Sequence, residues 1–275
     1  MHADDFGVSC GANTAIVDSY QRGLLTSTSV MATLPALGHA TDLLPEVKGL
    51  GFGAHLSLNL GRPVAPPSAV GLLLDRDGLL EYSYAFHMYR SLNKEYLRQV
   101  QIELDAQLAK LCDHGFVLGH ADSQQHVHMI PRIRDVVAET VERWGISFLR
   151  HSVEPWTGHP SIGRPVNLLK CAVVASFASQ RPSHGSRVGF IGLRHSGRMS
   201  ADRLVHYLTR LDHGTWEIAV HPGTGELEDE TALHRPIADY LRRKDRRIEW
   251  EALTSDRVRG CADAGCIDLI RFSDV

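Results

Sequence analysis

Four times along this chain an amphipathic, helix-forming stretch stops at a glycine and gives way to a short β-rich run. The clearest covers Lys94 to His114, where Leu97, Val100, Leu104, Leu108 and Leu111 recur at three- and four-residue spacing and form one apolar stripe. Gly115 stops it, and Phe116-Val117-Leu118 lead into His120. Pro131 suits the first turn of a helix carrying Ile133, Val136, Val137 and Val141, which Gly145 ends before a strand over Ile146 to Leu149. Ser200 can cap a helix with Leu204, Val205, Leu208 and Leu211, and Gly214 separates it from a strand over Trp216 to Val220. Near the start, Ala12 to Arg22 read as a helix, Gly23 as its stop and Thr26 to Ala32 as a strand. Strands alternating with helices imply parallel pairing through βαβ units. The expected fold is α/β, a TIM-like (β/α) barrel, which commonly runs to this length of 275 residues as one domain.

No linker divides residues 1–275, so a single domain is expected. The stretch from about Gly61 to Asn93, with Pro63, Pro66, Pro67 and several glycines, reads as a long loop excursion over one face of the barrel. The run Arg242 to Arg247 reads as a solvated helix end. A hydrophobic content of 43% and a charged content of 22% describe a globular chain able to bury a sizeable core. A formal net charge of -3 gives no case for a nucleic-acid partner. Cys10, Cys112, Cys171, Cys261 and Cys266 are odd in number and irregular in spacing, as expected of reduced thiols. The start has no basic or apolar leader, and the longest apolar stretch, Cys171 to Ala178, is too short to span a bilayer. A soluble, cytoplasmic protein with no membrane partner is expected.

Sixteen histidines are the unusual count, and histidine is both a common metal ligand and a proton shuttle. Ligand-type residues concentrate in four segments at or just after strand ends: Ala3-Asp4-Asp5-Phe6-Gly7, Gly53 to Leu58, His120 to His128, and Ala219 to Gly223. In a parallel barrel such ends share one face, where active sites lie. Taken singly, Asp4-Asp5 fits a turn or helix cap, His55 a hydrogen-bonded core histidine, and His221 before Pro-Gly a plain turn. The third segment differs, because His120, Asp122, His126 and His128 within nine residues are hard to justify as packing. Burying them costs stability unless a metal or a hydrogen-bond network satisfies them. Gly49-Leu50-Gly51-Phe52-Gly53-Ala54 fits a loose dinucleotide fingerprint but runs into a strand-like alternation instead of opening a helix. Serine-hydrolase and zincin signatures are missing from the sequence.

Together the four segments resemble the YdjC-like carbohydrate deacetylase family, which includes the chito-oligosaccharide deacetylases. Ala-Asp-Asp-Phe-Gly at 3–7, Gly53-Ala54-His55-Leu56, the histidine-rich run from His120 to Pro131 and His221-Pro222-Gly223 stand in the family's order. Asn13, Gly23 to Ser27, Met31, Phe190 to Leu193 and Gly197 also look familial, so the resemblance covers nearly the whole chain. It implies a divalent ion, Mg2+ or Zn2+, held by Asp5, His55 and the residue at position 124. It further implies hydrolysis of the N-acetyl group of an N-acetylglucosamine-type sugar to acetate and the free amino sugar. Asp4 would serve as general base and His221 as general acid, with His120, Asp122, His126 and His128 as supporting groups or alternative ligands. The partners would be a small carbohydrate and at most a second copy of the chain, as a homodimer.

Two departures from the family pattern have structural and chemical consequences. Only Met1-His2-Ala3 precede Asp4, so the first strand is expected to be largely truncated and the barrel irregular, with seven or eight strands. Gln124 stands where the family carries a ligand histidine. A neutral amide oxygen is a weaker donor than imidazole and favours a harder ion such as magnesium. Either Gln124 ligates weakly, or His126 or His128 takes over, or the chain is a catalytically lapsed sugar-binding barrel. A glycosidase would need two opposed carboxylates, for which Asp4 and Asp122 are the one pair the sequence offers.

Overall fold

The computed structural model describes residues 1–159, 163–178, 188–227, 231–265 and 267–275. Its elements run β1 (His2–Phe6), α1 (Cys10–Arg22), β2 (Ser27–Val30), α2 (Leu37–Asp42), β3 (Gly51–Leu56), α3 (Tyr84–Arg90), α4 (Lys94–Asp113), β4 (Leu118–Ser123) and α5 (Pro131–Arg143). They continue β5 (Phe148–Leu149), α6 (Pro165–Ser176), β6 (Val188–Ile191), α7 (Ala201–Arg210), β7 (Thr215–Val220), α8 (Arg235–Leu241), α9 (Asp245–Leu253) and α10 (Asp256–Ala264). The strands form one parallel sheet in the order β5-β4-β3-β2-β1-β7-β6. All strands therefore end on one face, as the alternating pattern requires.

The sheet curls but does not close, so the irregular barrel of seven or eight strands expected from the sequence is, among the described residues, an open seven-stranded sheet. Among the described residues no backbone ladder joins edge strand β5 to edge strand β6. Side chains bridge the gap instead. Glu154, beyond β5, accepts from the backbone N–H groups of Gly192 (3.3 Å) and Arg194 (2.8 Å), beyond β6. The Arg150 guanidinium lies 5.4 Å from the Phe190 ring.

The helices follow their sequence signals. Asn93 caps α4 by accepting from Glu95 and Tyr96, and Val100, Leu104, Leu108 and Leu111 are all buried along it. Each such side chain contributes about 2 kcal/mol by leaving water. Ser9 caps α1, and Pro131 occupies the first turn of α5. The stretch 61–93 is more ordered than a loop. Val70, Leu73 and Leu80 are buried, and Glu103 of α4 accepts from the N–H groups of Val64 and Ala65.

Two expectations change. β1 is not truncated to Met1-His2-Ala3, because the strand takes in both aspartates and is buried throughout. It pairs with β2 and β7 as an interior strand, and polar contacts with buried arginines take the place of an apolar strand's packing. The run Arg242 to Arg247 is not wholly solvated either: Arg246 is only 1% exposed. Among the described residues Cys10, Cys112, Cys171 and Cys261 form no disulfide, and Cys266 lies outside the described residues. Among the described residues no helix is long and apolar enough to cross a membrane.

Candidate active site

In a regular strand Asp4 and Asp5 would point to opposite faces. Here the β1–β2 register shifts between Ala3 and Phe6, and Asp5 adopts φ 76°, a left-handed conformation costly for a residue with a Cβ. The irregularity turns both carboxylates toward one cavity of about 170 Å³, which Gln124, His126 and His221 also line. Gly7 follows with φ 93°, and a Cβ there would meet the Met31 carbonyl oxygen at 2.9 Å. Its N–H donates to Asn13 Oδ1 at 2.6 Å, which fixes the turn out of the strand. Among the described residues the other non-glycine positions with positive φ are Gln125 and His126, in the 3-10 turn Gln124–Met129 that follows β4. Backbone strain is thus concentrated at the cavity.

Asp4 accepts from Arg150 Nη1 at 3.0 Å and Nη2 at 2.7 Å. Burial would raise its pKa, but Arg150, His2 and His55 overcome that and hold it well below the usual carboxylate range. Arg150 is 2% exposed and also lies 2.7 Å from Asp122 Oδ2 and 2.6 Å from Glu217 Oε1. One guanidinium therefore serves three buried carboxylates.

Asp5 Oδ2 accepts from Arg246 at 2.8 Å, while its Oδ1 is buried without a hydrogen-bond partner. His55 Nε2 lies 3.6 Å from that oxygen and 3.1 Å from Gln124 Oε1. Asp122 Oδ1 at 2.5 Å and Ser29 Oγ at 3.1 Å hold the other ring nitrogen. Burial would lower the His55 pKa, but Asp122, Asp4 and Asp5 raise it to about 9. Donors spaced in this way fit one small divalent cation, whose ligands lie about 2.0–2.2 Å from it and hence roughly 3–3.5 Å from one another. Asp4, His55 and Asp122 offer a second convergent set, as do His2, His120 and Asp122. In those sets Asp4 and Asp122 also contact Arg150, as Asp5 contacts Arg246.

His221 Nε2 lies 3.6 Å from Asp4 Oδ2 at the cavity wall. Burial lowers its pKa, but Glu249, Asp4 and Asp5 prevail and raise it. Glu249 is fully buried and accepts from the His221 backbone N–H at 2.5 Å, with the ring Nδ1 3.6 Å from the same carboxylate oxygen. His126 faces the cavity with Nδ1 on Ser152 Oγ at 2.8 Å. His128 is committed elsewhere, with Nδ1 on Ser123 Oγ at 2.5 Å and Nε2 on the Arg150 carbonyl at 3.0 Å. His120 lies below the cavity in an aromatic cluster, its ring 4.9 Å from that of His2 and 4.2 Å from that of Phe272.

Residues 1–264 match the family of YdjC-like proteins. The chain belongs to that family. The YdjC-like chain is 34% identical over 277 residues to a carbohydrate deacetylase of Clostridium beijerinckii, covering 100% of this chain and 98% of that one. A carbohydrate deacetylase of Listeria monocytogenes is 36% identical over 152 residues, and that match spans 60% of the Listeria protein and 55% of this chain. A chitooligosaccharide deacetylase of Salmonella schwarzengrund is 38% identical over 148 residues, or 54% of this chain and 56% of that one. A solved structure from Enterococcus faecalis V583, provisionally described as a cellobiose-phosphate cleavage protein, superposes with a TM-score of 0.73 over 99% of this chain and 96% of its own. At 21% identity that likeness shows the fold alone.

Within this YdjC-like site, sequence reasoning passed over Arg150, Glu217, Arg246 and Glu249. Each had a local signal. Arg150 directly follows strand β5, and Glu217 interrupts an apolar strand on the same alternating face as Ala219 and His221. Arg246 and Glu249 are three apart on α9, in step with buried Leu253.

Proposed function

We propose that this YdjC-like protein is a metal-dependent carbohydrate N-deacetylase, releasing acetate and an amino sugar from an N-acetylglucosamine-type substrate. We read the curled sheet as an irregular TIM-like barrel opened between β5 and β6. The observation that carries the functional reading is the convergence of Asp5 Oδ1, His55 Nε2 and Gln124 Oε1 beside Asp4 and His221 at one cavity. The deacetylase names of its relatives support it.

A divalent cation at Asp5, His55 and Gln124 would polarise the acetamido carbonyl and acidify a water. Asp122 holds His55 by Nδ1, which leaves Nε2 facing the other two donors. Asp4 takes the proton from the attacking water. Its two bonds from Arg150 fix its orientation, and a carboxylate retains lone pairs for a further proton. The low pKa that Arg150 imposes makes Asp4 a weak base, so an already acidified water suits it. His221, its pKa raised by Glu249 and the aspartates, holds the proton that the leaving amine nitrogen must receive before the C–N bond breaks. Arg246 neutralises Asp5 from behind and lowers the cost of burying that carboxylate.

The test is acetate release from N-acetylglucosamine oligomers by protein stripped of metal and then given zinc or magnesium. Metal-restored release in the wild type, with Asp4→Asn slowed at least about 100-fold, is expected. Turnover of Asp4→Asn within a few-fold of wild type would remove Asp4 as base. No release with either metal would leave a sugar-binding fold without the chemistry.

A further inference from the structure

Every second side chain of a strand shares a face, so His2 projects on the same side of β1 as Asp4. It is fully buried and lies outside the lining of the catalytic cavity, and the mechanism above gives it no task. Its ring is nevertheless held on both nitrogens. Nδ1 lies 3.0 Å from Ser27 Oγ, and Nε2 lies 3.3 Å from Ser29 Oγ. The same Nε2 stands 3.2 Å from Asp4 Oδ1 and 3.3 Å from Asp122 Oδ2. The ring also packs against those of His120 and Phe272, with centroids 4.9 and 5.6 Å away. Gly53 makes room for this packing, since a Cβ there would overlap the His120 ring.

Asp4, Asp122 and Glu217 are three buried carboxylates around the single Arg150 guanidinium. Buried charge is costly unless it is balanced, which favours a further cation in this layer. Burial would lower the His2 pKa, but Asp122, Asp4 and Glu217 outweigh burial and Arg150 and raise it. The two oxygens of Asp4 are then unlike. Oδ1 faces Arg150 Nη2 at 2.7 Å and His2 Nε2 at 3.2 Å. Oδ2 faces Arg150 Nη1 at 3.0 Å and His221 Nε2, at the cavity wall, at 3.6 Å. Each carboxylate oxygen has two lone-pair sites. Both sites of Oδ1 are met from below by protein cations, whereas Oδ2 keeps one toward the cavity. We infer that His2 is a positioning residue, which holds Asp4 by Oδ1 and so leaves Oδ2 as the atom that takes the proton of the attacking water. The inference rests on the deacetylase reading for the role of Asp4 as base.

Acetate release from N-acetylglucosamine oligomers by the zinc-loaded protein is compared for wild type, His2→Phe, His2→Gln and Ser27→Ala. Phenylalanine keeps the ring's packing and removes both nitrogens, while glutamine returns a neutral donor. His2→Phe should lower kcat at least about tenfold and leave KM and zinc affinity within about twofold. His2→Gln should regain at least about threefold of that loss, and Ser27→Ala, which frees Nδ1 alone, should lower kcat about threefold. A kcat in His2→Phe within about twofold of wild type overturns the role. So does a parallel loss of zinc affinity, or no recovery in His2→Gln, either of which makes His2 a packing or metal-site residue. A double-mutant cycle of His2→Phe with Asp4→Asn, read by urea unfolding of the metal-free protein, is independent of turnover. Non-additivity of at least about fivefold in the unfolding constant is expected, and additive effects overturn the contact. Ser27→Ala takes the place of His2→Phe in both measurements if that chain does not fold. If the wild type releases no acetate, the deacetylase reading fails and the cycle alone decides whether His2 holds Asp4.

Discussion

Replacing Arg150 by methionine isolates what the shared guanidinium does. In the wild type it contacts Asp4, Asp122 and Glu217 at 2.6–3.0 Å, and its side chain is 1% exposed. Methionine fills much of the same volume but leaves three buried carboxylates without their common cation. Breaking a buried ion pair by removing one partner costs about 3–5 kcal/mol. The neighbouring His2 and His55, whose pKa values are both raised, keep the figure from multiplying threefold. At roughly 2–4 °C per kcal/mol for a chain of this size, Tm should fall by about 10 °C. Circular dichroism melts at neutral pH measure it, with a scan-rate check because large domains can unfold irreversibly. A Glu217→Gln change should destabilise the wild type yet stabilise the Arg150→Met protein, giving a coupling of at least about 1 kcal/mol in a double-mutant cycle. A Tm within about 2 °C of wild type together with zero coupling would refute the claim that this arginine makes the buried carboxylates affordable.

Three further outcomes are expected. Gln124→His should bind zinc at least about tenfold more tightly in a chelator competition, since imidazole is the better donor; unchanged affinity would place the ion elsewhere. Burial lowers the His87 pKa to about 4 in the folded chain, where its partners are Tyr96 and the Glu81 carbonyl. Between pH 6.5 and about 4 the unfolded chain therefore binds a proton that the folded chain refuses, and stability falls with falling pH by up to about 3 kcal/mol. Urea midpoints across that window should fall less steeply in His87→Gln; an identical slope would assign the acid sensitivity to other groups. Phe272→Ala, which removes a ring packed 4.2 Å from that of His120 and 4.5 Å from that of Phe148, should lower stability by about 2 kcal/mol; a change below about 0.5 kcal/mol would mean the ring adds little there.

The periodic parts of the fold were legible in the sequence because a helix that buries one face must repeat its apolar residues at helical spacing, as α4 does. The strand ends were legible because ligand-type residues interrupt apolar runs there. β1 was misjudged by the same logic. A strand was expected to be apolar before its aspartates, whereas His2, Asp4 and Asp5 are buried in the strand itself. The buried cations were hidden for a different reason. Arg246 sits in a run whose neighbours Arg243, Lys244 and Arg247 are exposed, and composition alone does not separate an inward charge from an outward one. Only its phase relative to Glu249 and Leu253 does.

The Asp5–Arg246 pair spans 241 residues of chain, and Asp4 meets Arg150 across 146. Interior strand β1 also waits for β7, the last strand in chain order among the described residues. At a synthesis rate of roughly 5–20 residues per second, the two aspartates leave the ribosome about ten to fifty seconds before the arginine that neutralises Asp5. During that interval water is their partner, and the half-built sheet exposes the edge that β7 later covers. A nascent chain halted anywhere before α9 carries the acidic pair but lacks one of the cations that hold it, so activity should appear only once α9 has been made.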